Sequence, residues 1–80
     1  MTRLKAIRNR TREMIPTYWR QLIEVGVPLE TARIIAWVIA RYDAAHRLPS
    51  RAQADLLSQY CPLICRAGLW RSSLLLDAMP

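Results

Sequence analysis

Residues 26–45 read GVPLETARIIAWVIARYDAA, and this stretch decides the fold. Gly26 is a natural left-handed stop for whatever helix precedes it. Pro28 sits well in the first turn of a new helix, where its missing N–H is not needed. Glu30 lies near the positive end of that helix's dipole. Apolar residues then recur at Leu29, Ala32, Ile35, Ala36, Val38, Ile39, Tyr42 and Ala45. The period is helical, and it predicts a helix running to about Ala45. Ile34 and Trp37 widen the apolar surface beyond a single stripe. A helix apolar most of the way round is a central one, packed by neighbours on several sides. The expected fold is all-α. Ile34, Trp37, Val38 and Tyr42 are the expected contacts to a second copy or to another protein.

The pattern stays helical on both sides of this stretch. Upstream, Leu4, Ile7 and Thr11 mark one face of a short basic helix, which Pro16 is expected to end. Thr17 then caps a second helix. Tyr18, Leu22 and Val25 follow at i, i+4 and i+7, with Trp19 and Ile23 alongside. Downstream, residues 46–49 are a connector. Ser50 and Gln53 form the S-x-x-Q capping box of a helix from Arg51 to about Gln59, with Ala52, Leu56 and Leu57 inward. Pro62 interrupts. Leu63, Ile64 and Leu69 are apolar, Gly68 allows a turn, and Ser72 or Ser73 caps a last short helix through Ala78. The expectation is a compact bundle of about five short helices, with a helix-turn-helix-like C-terminal half. In that half residues 63–67 would be the recognition helix. It offers Arg66 to a base edge, with Arg71, Ser72 and Ser73 just beyond, which is a thin recognition surface.

Eighty residues make one small domain, and such a chain buries about 60% of the surface that it exposes when unfolded. That argues against a large enzyme cleft. The apolar share is 52%, more than so small an interior uses, and the surplus points to a partner surface. Two glycines in the whole chain argue against a Gly-rich phosphate loop.

The net charge of +6 is uneven. Arg3, Lys5, Arg8, Arg10 and Arg12 precede the first acid, Glu13. The expected organisation is a basic arm over residues 1–12 and a nearly neutral helical domain over 13–80. Such an arm attracts phosphates or an acidic partner, and Arg66 and Arg71 add to it. No apolar run follows the basic stretch as in a secretory signal. The longest such run, Ile34 to Ala40, falls far short of the roughly 20 residues of a membrane span. The expected location is cytoplasmic, with both cysteines reduced.

The chemistry-bearing residues are few. His46 is the one histidine, placed in a connector, and no nucleophile stands with a base and an orienter. No enzymatic activity is expected. Cys61 and Cys65 form a C-x-x-x-C spacing. Two thiolates and one distant histidine do not complete a four-ligand zinc site within one chain, so no cofactor or metal is expected. Both read as small apolar core residues, with a zinc site shared across a dimer or an interchain disulfide as alternatives.

Two blocks resemble the FlhD subunit of the bacterial flagellar master regulator and its FlhD-like relatives. The first is Gly26-Val27-Pro28-Leu29-Glu30-Thr31-Ala32-Arg33-Ile34-Ile35-Ala36. The second is Ser50-Arg51-Ala52-Gln53, then Leu57, then Leu63-Ile64-Cys65-Arg66. The resemblance implies an all-α homodimer that acts with a second, DNA-binding subunit of the FlhC type, with nucleic acid contacted through the complex. The expected function is therefore a small transcriptional regulator working by protein–protein association. The rivals are an antiactivator that occupies and silences an activator, and an autonomous helix-turn-helix DNA binder.

Overall fold

The computed structural model describes residues 3–69, with side chains from Thr11 onward. The fold is all-α. Four helices follow one another: α1 (Arg3–Glu24), α2 (Leu29–Ala45), α3 (Arg51–Gln59) and α4 (Cys61–Arg66). α1 and α2 form a helical hairpin, and the short α3 and α4 pack on it. The expected helix over residues 72–78 lies outside the described residues.

α1 corrects the reading of Pro16. One helix of 22 residues runs through the proline, so Pro16 neither ends a helix nor leaves Thr17 as a cap. Proline inside a helix loses one i→i−4 hydrogen bond and crowds the carbonyl of the residue four back, here Arg12. Tertiary packing outweighs that cost. Thr11, Ile15, Tyr18 and Leu22 recur at spacings of four, three and four and so share one face. Thr11 and Leu22 are buried, and Ile15 and Tyr18 pack against the core. Breaking the helix at residue 16 would take Thr11 and Ile15 off that line. Pro16 itself faces solvent, where its ring meets no neighbour's side chain in the core. The helix also crosses residue 12 without interruption, so the basic stretch is the N-terminal part of α1.

Both glycines end helices as the sequence suggests. Gly26 has φ 103° and Gly68 has φ 77°. After α1, the N–H of Gly26 donates to the carbonyl of Ile23 (3.0 Å) and that of Val27 to the carbonyl of Leu22 (3.1 Å). After α4, Gly68 donates to Cys65 (3.0 Å) and Leu69 to Ile64 (3.1 Å). This pair of bonds is the Schellman cap, and it comes with an apolar contact across the turn. Here that contact joins Leu22 to Val27 and Ile64 to Leu69, all four buried.

α2 is the central helix. Pro28 is its N-cap residue, one position before the first turn in which it was expected. Ala32, Ile35, Ala36, Val38, Ile39 and Ala40 are buried. Leu29, one of the apolar positions of the helical pattern, is 58% exposed. His46 closes the helix in the left-handed conformation (φ 53°), with its N–H on the carbonyl of Tyr42 (2.8 Å). Ser50 begins α3 with the expected capping box. Its N–H donates to Gln53 Oε1 (2.9 Å), and the N–H of Gln53 donates to Ser50 Oγ (3.3 Å). Leu57 is buried, Leu56 is half-buried, and Ala52 faces solvent where Ala54 turns inward. Tyr60 alone separates α3 from α4. Pro62 lies in the first turn of α4 rather than before it, where no intrahelical N–H is required.

The core is one cluster: Leu22 from α1, Val27 from the turn after it, Ala32, Ile35, Ala36, Val38 and Ile39 from α2, Leu57 from α3, Ile64 from α4, and Leu69 just after α4. Every helix contributes to it, so each holds the others in place. A polar tie supplements the packing between α1 and α2. Tyr18 Oη donates to Asp43 Oδ2 at 2.7 Å.

Candidate protein interface

α2 is buried on most sides, yet a narrow stripe of it reaches solvent. Glu30, Ile34, Trp37 and Arg41 follow at spacings of four, three and four. At 3.6 residues per turn they lie within about 60° of arc. Buried Val38 bounds the stripe on one side and buried Ala40 on the other, with exposed Arg33 between the stripe and Ala40. Ile34 is 46% exposed and Trp37 is 37% exposed. Large apolar side chains left out of water contact gain about 25 cal/mol per Å² of apolar area, so two such neighbours form a ready contact point.

The neighbouring helices turn the stripe into a groove. Ile15 of α1 and Gln53 of α3 stand beside Glu30, Arg33, Ile34 and Trp37, around a volume of about 510 Å³. Ile15 is placed there by the same uninterrupted α1 that buries Thr11. Gln53 is held by the capping box, since its side chain is fixed on the backbone of Ser50. The Arg41 guanidinium lies 4.3 Å from the centroid of the Trp37 ring. This is cation–π distance, one helical turn along α2. The stack restrains the indole, so less side-chain entropy is lost when a partner packs on it. Trp19 behaves differently. Its Nε1–H donates to the carbonyl of Leu29 (3.1 Å) and ties α1 to the start of α2.

The residues expected to form a protein interface therefore separate. Ile34 and Trp37 meet in the groove. Val38 is 3% exposed and belongs to the chain's own core. Tyr42 is half-buried, packs against the core, and meets the His46 ring edge-on with centroids 6.0 Å apart. Sequence reasoning missed Ile15, Glu30, Arg33, Arg41 and Gln53. The four–three–four spacing of Glu30, Ile34, Trp37 and Arg41 was the available signal for two of them.

The expected contacts to nucleic acid or an acidic partner do not assemble into one described patch. Arg12 is exposed on α1, and Arg66 is exposed at the end of α4. Arg3, Lys5, Arg8 and Arg10 belong to the backbone of α1, but their side chains lie outside the described residues, as does Arg71. Cys61 is half-buried, and Cys65 is exposed rather than part of the core; both are free thiols. Successive turns of α4 carry them, and Ile64 beside them fills the core position. Among the described residues no three potential ligands gather as a metal site. No helix among them is long and apolar enough to cross a membrane. Comparison of the chain with family models, with curated proteins and with solved structures returns no match.

Proposed function

We propose that this chain is a small transcriptional regulator that works by protein association, as part of a complex in which another subunit makes most of the DNA contacts. The observation that carries the reading is the exposure of Ile34 and Trp37 in a groove on the central helix. Burying such side chains inside a small domain is favourable, and leaving them exposed favours association. The resemblance of residues 26–36 and 50–66 to FlhD-like subunits supports the same reading, and so does the excess of positive charge near the N-terminus.

The α3–α4 pair has the order of a helix-turn-helix, with Tyr60 as the connection. α4 offers little to a base edge. Of its residues, Pro62, Cys65 and Arg66 are exposed, and Arg66 is the one strong donor among them. That balance favours a partner-dependent complex over an autonomous DNA binder.

The test uses the full chain and a Trp37→Glu variant to recover partners from the native host, followed by mobility-shift assays. The expected result is a partner recovered by the wild type and lost with Trp37→Glu, and a DNA shift that requires chain and partner together. A partner whose DNA affinity falls when the chain is added identifies an antiactivator instead. Tight DNA binding by the chain alone, steeply weakened by salt, overturns the reading.

A further inference from the structure

Cys61 and Cys65 are the two cysteines of the chain, both free, and α4 carries them one turn apart. The helix is regular across them. The N–H of Ile64 donates to the carbonyl of Tyr60, and that of Ala67 to the carbonyl of Leu63, each at 2.9 Å. Positions four residues apart on such a helix lie about 40° apart in arc, here on the flank of buried Ile64. Cys61 is half-buried and Cys65 is exposed. One thiol thus stands at the rim of the core and the other in solvent, where an ion arrives. From this arrangement we infer that α4 holds a two-coordinate site for a soft monovalent cation of the copper(I) class, with the Cys61 and Cys65 thiolates as its ligands. The site is separate from the strip of α2 and independent of the proposed function.

The spacing selects this ligand among the alternatives. Side chains one turn apart on a helix have Cβ atoms about 5–6 Å apart, and a disulfide requires about 3.5–4.5 Å. The two thiols therefore do not close on each other while α4 stays helical. A metal ion between them spans the wider gap. With the zinc–thiolate bond of about 2.3 Å as the measure, two opposed metal–sulfur bonds set the sulfurs about 4.6 Å apart. Side chains at this helical spacing reach that separation. Coordination number then decides the metal. Among the described residues no third histidine, cysteine, aspartate or glutamate joins the pair. Zinc takes four ligands in closed sites and would be left half-coordinated here. Soft thiolates select copper(I), which is stable between two opposed sulfurs.

Binding exchanges protons for the ion. Both thiols release their protons to solvent, and each sulfur donates an electron pair to the metal. Copper(I) and two neutral thiols become a singly negative bis-thiolate complex and two protons, with no change of oxidation state. Exposed Arg66, next in the chain to Cys65, and the chain's positive net charge offset that anion. The ion also staples one turn of a six-residue helix, which is too short to hold by itself. The carbonyl of Cys65 accepts from Gly68 (3.0 Å) in the cap that follows, and Leu69 beyond it lies in the core. A ligand that binds the folded form alone stabilises that form, so the metal is expected to raise the thermal midpoint.

Anaerobic titration of the reduced full chain with tetrakis(acetonitrile)copper(I), against the chromophoric chelator bicinchoninate, tests the site. The expected result is one copper(I) per chain, with X-ray absorption showing two sulfur neighbours and no nitrogen. Cys61→Ser and Cys65→Ser are each expected to weaken binding about a hundredfold or more, the effect of losing an intramolecular second ligand. Should Cys61→Ser fail to fold, Cys65→Ser/Arg66→Cys keeps Cys61 and the number of thiols and alters exposed positions alone. It sets the two thiols about 140° apart around the helix. This variant is expected to keep the wild-type helical circular dichroism and to lose tight copper(I) binding. Wild-type affinity in the shifted-thiol variant, or in either serine variant, overturns the inference. One ion bound per two chains overturns it as well, because the site is then shared between chains. So does stoichiometric zinc bound in preference to copper(I).

Discussion

Gln21 lies on α1 with its side-chain oxygen buried and with no hydrogen-bond partner among the described residues. A buried polar atom without a partner costs about 1–3 kcal/mol in desolvation. Gln21→Met keeps the length and flexibility of the side chain and removes the polar end. It is expected to raise stability by about 1 kcal/mol, read as a higher urea midpoint with unchanged slope. A lower midpoint would show that Gln21 has a partner. Gln21 is also instructive about what a sequence can say. A glutamine on a helix reads as a solvated residue, and its burial appears once α1 and α2 are packed. The opposite holds for Gly26, Gly68 and the Ser50–Gln53 box. Their conformations follow from local chemistry (freedom at positive φ, or a hydroxyl within reach of a backbone N–H), so these residues were legible in advance.

Pro16 decides how the elements are counted. Local rules make it a helix end, because proline disfavours helical geometry in the preceding residue and donates no hydrogen bond. The long-range fact that overrules them is the line Thr11, Ile15, Tyr18, Leu22, which meets α2 on both sides of the proline. A single sequence shows that spacing but not the surface that it packs on. If α1 carries Pro16 as an internal residue, replacing it removes a penalty. Pro16→Ala is expected to stabilise the protein by roughly 1–3 kcal/mol and to raise its helical circular dichroism. Were residue 16 a true boundary between two helices, the substitution would be neutral or destabilising. α4 shows the same logic in the milder direction. Pro62 was read as a break and lies instead in a first turn, where proline is at home.

At the scale of the whole molecule, the fold class and the central place of α2 were legible in the hydrophobic period of residues 29–45. The division of that helix into core and surface was less so. A helix apolar on most sides does not announce which apolar residues remain outside. Val38 went to the core and Ile34 and Trp37 to the groove because α1 and α3 cover α2 on two flanks and leave one strip between them. The charges on that strip then acquire meaning. Along the chain Glu30 reads as a helix-dipole residue and Arg41 has no reading of its own; in the structure they bracket two exposed apolar side chains. Under the proposed function, the basic residues near the N-terminus would raise encounter rates with an anionic partner more than they fix the geometry of the complex.

The proposed function rests on the exposed strip of α2 as the place where this protein meets its partner. Titration of the isotope-labelled full chain with the partner recovered from the host, followed by amide and indole NMR shifts, is the decisive measurement. The expected result is a set of shifts on partner addition confined to Glu30, Arg33, Ile34, Trp37 and Arg41 and to the neighbouring Ile15 and Gln53. The Trp37 indole N–H should be among the largest movers, while that of Trp19, engaged with the Leu29 carbonyl, stays in place. Partner binding that shifts α4 or the N-terminal part of α1 and leaves the strip silent is the opposite result, and it places the association face elsewhere.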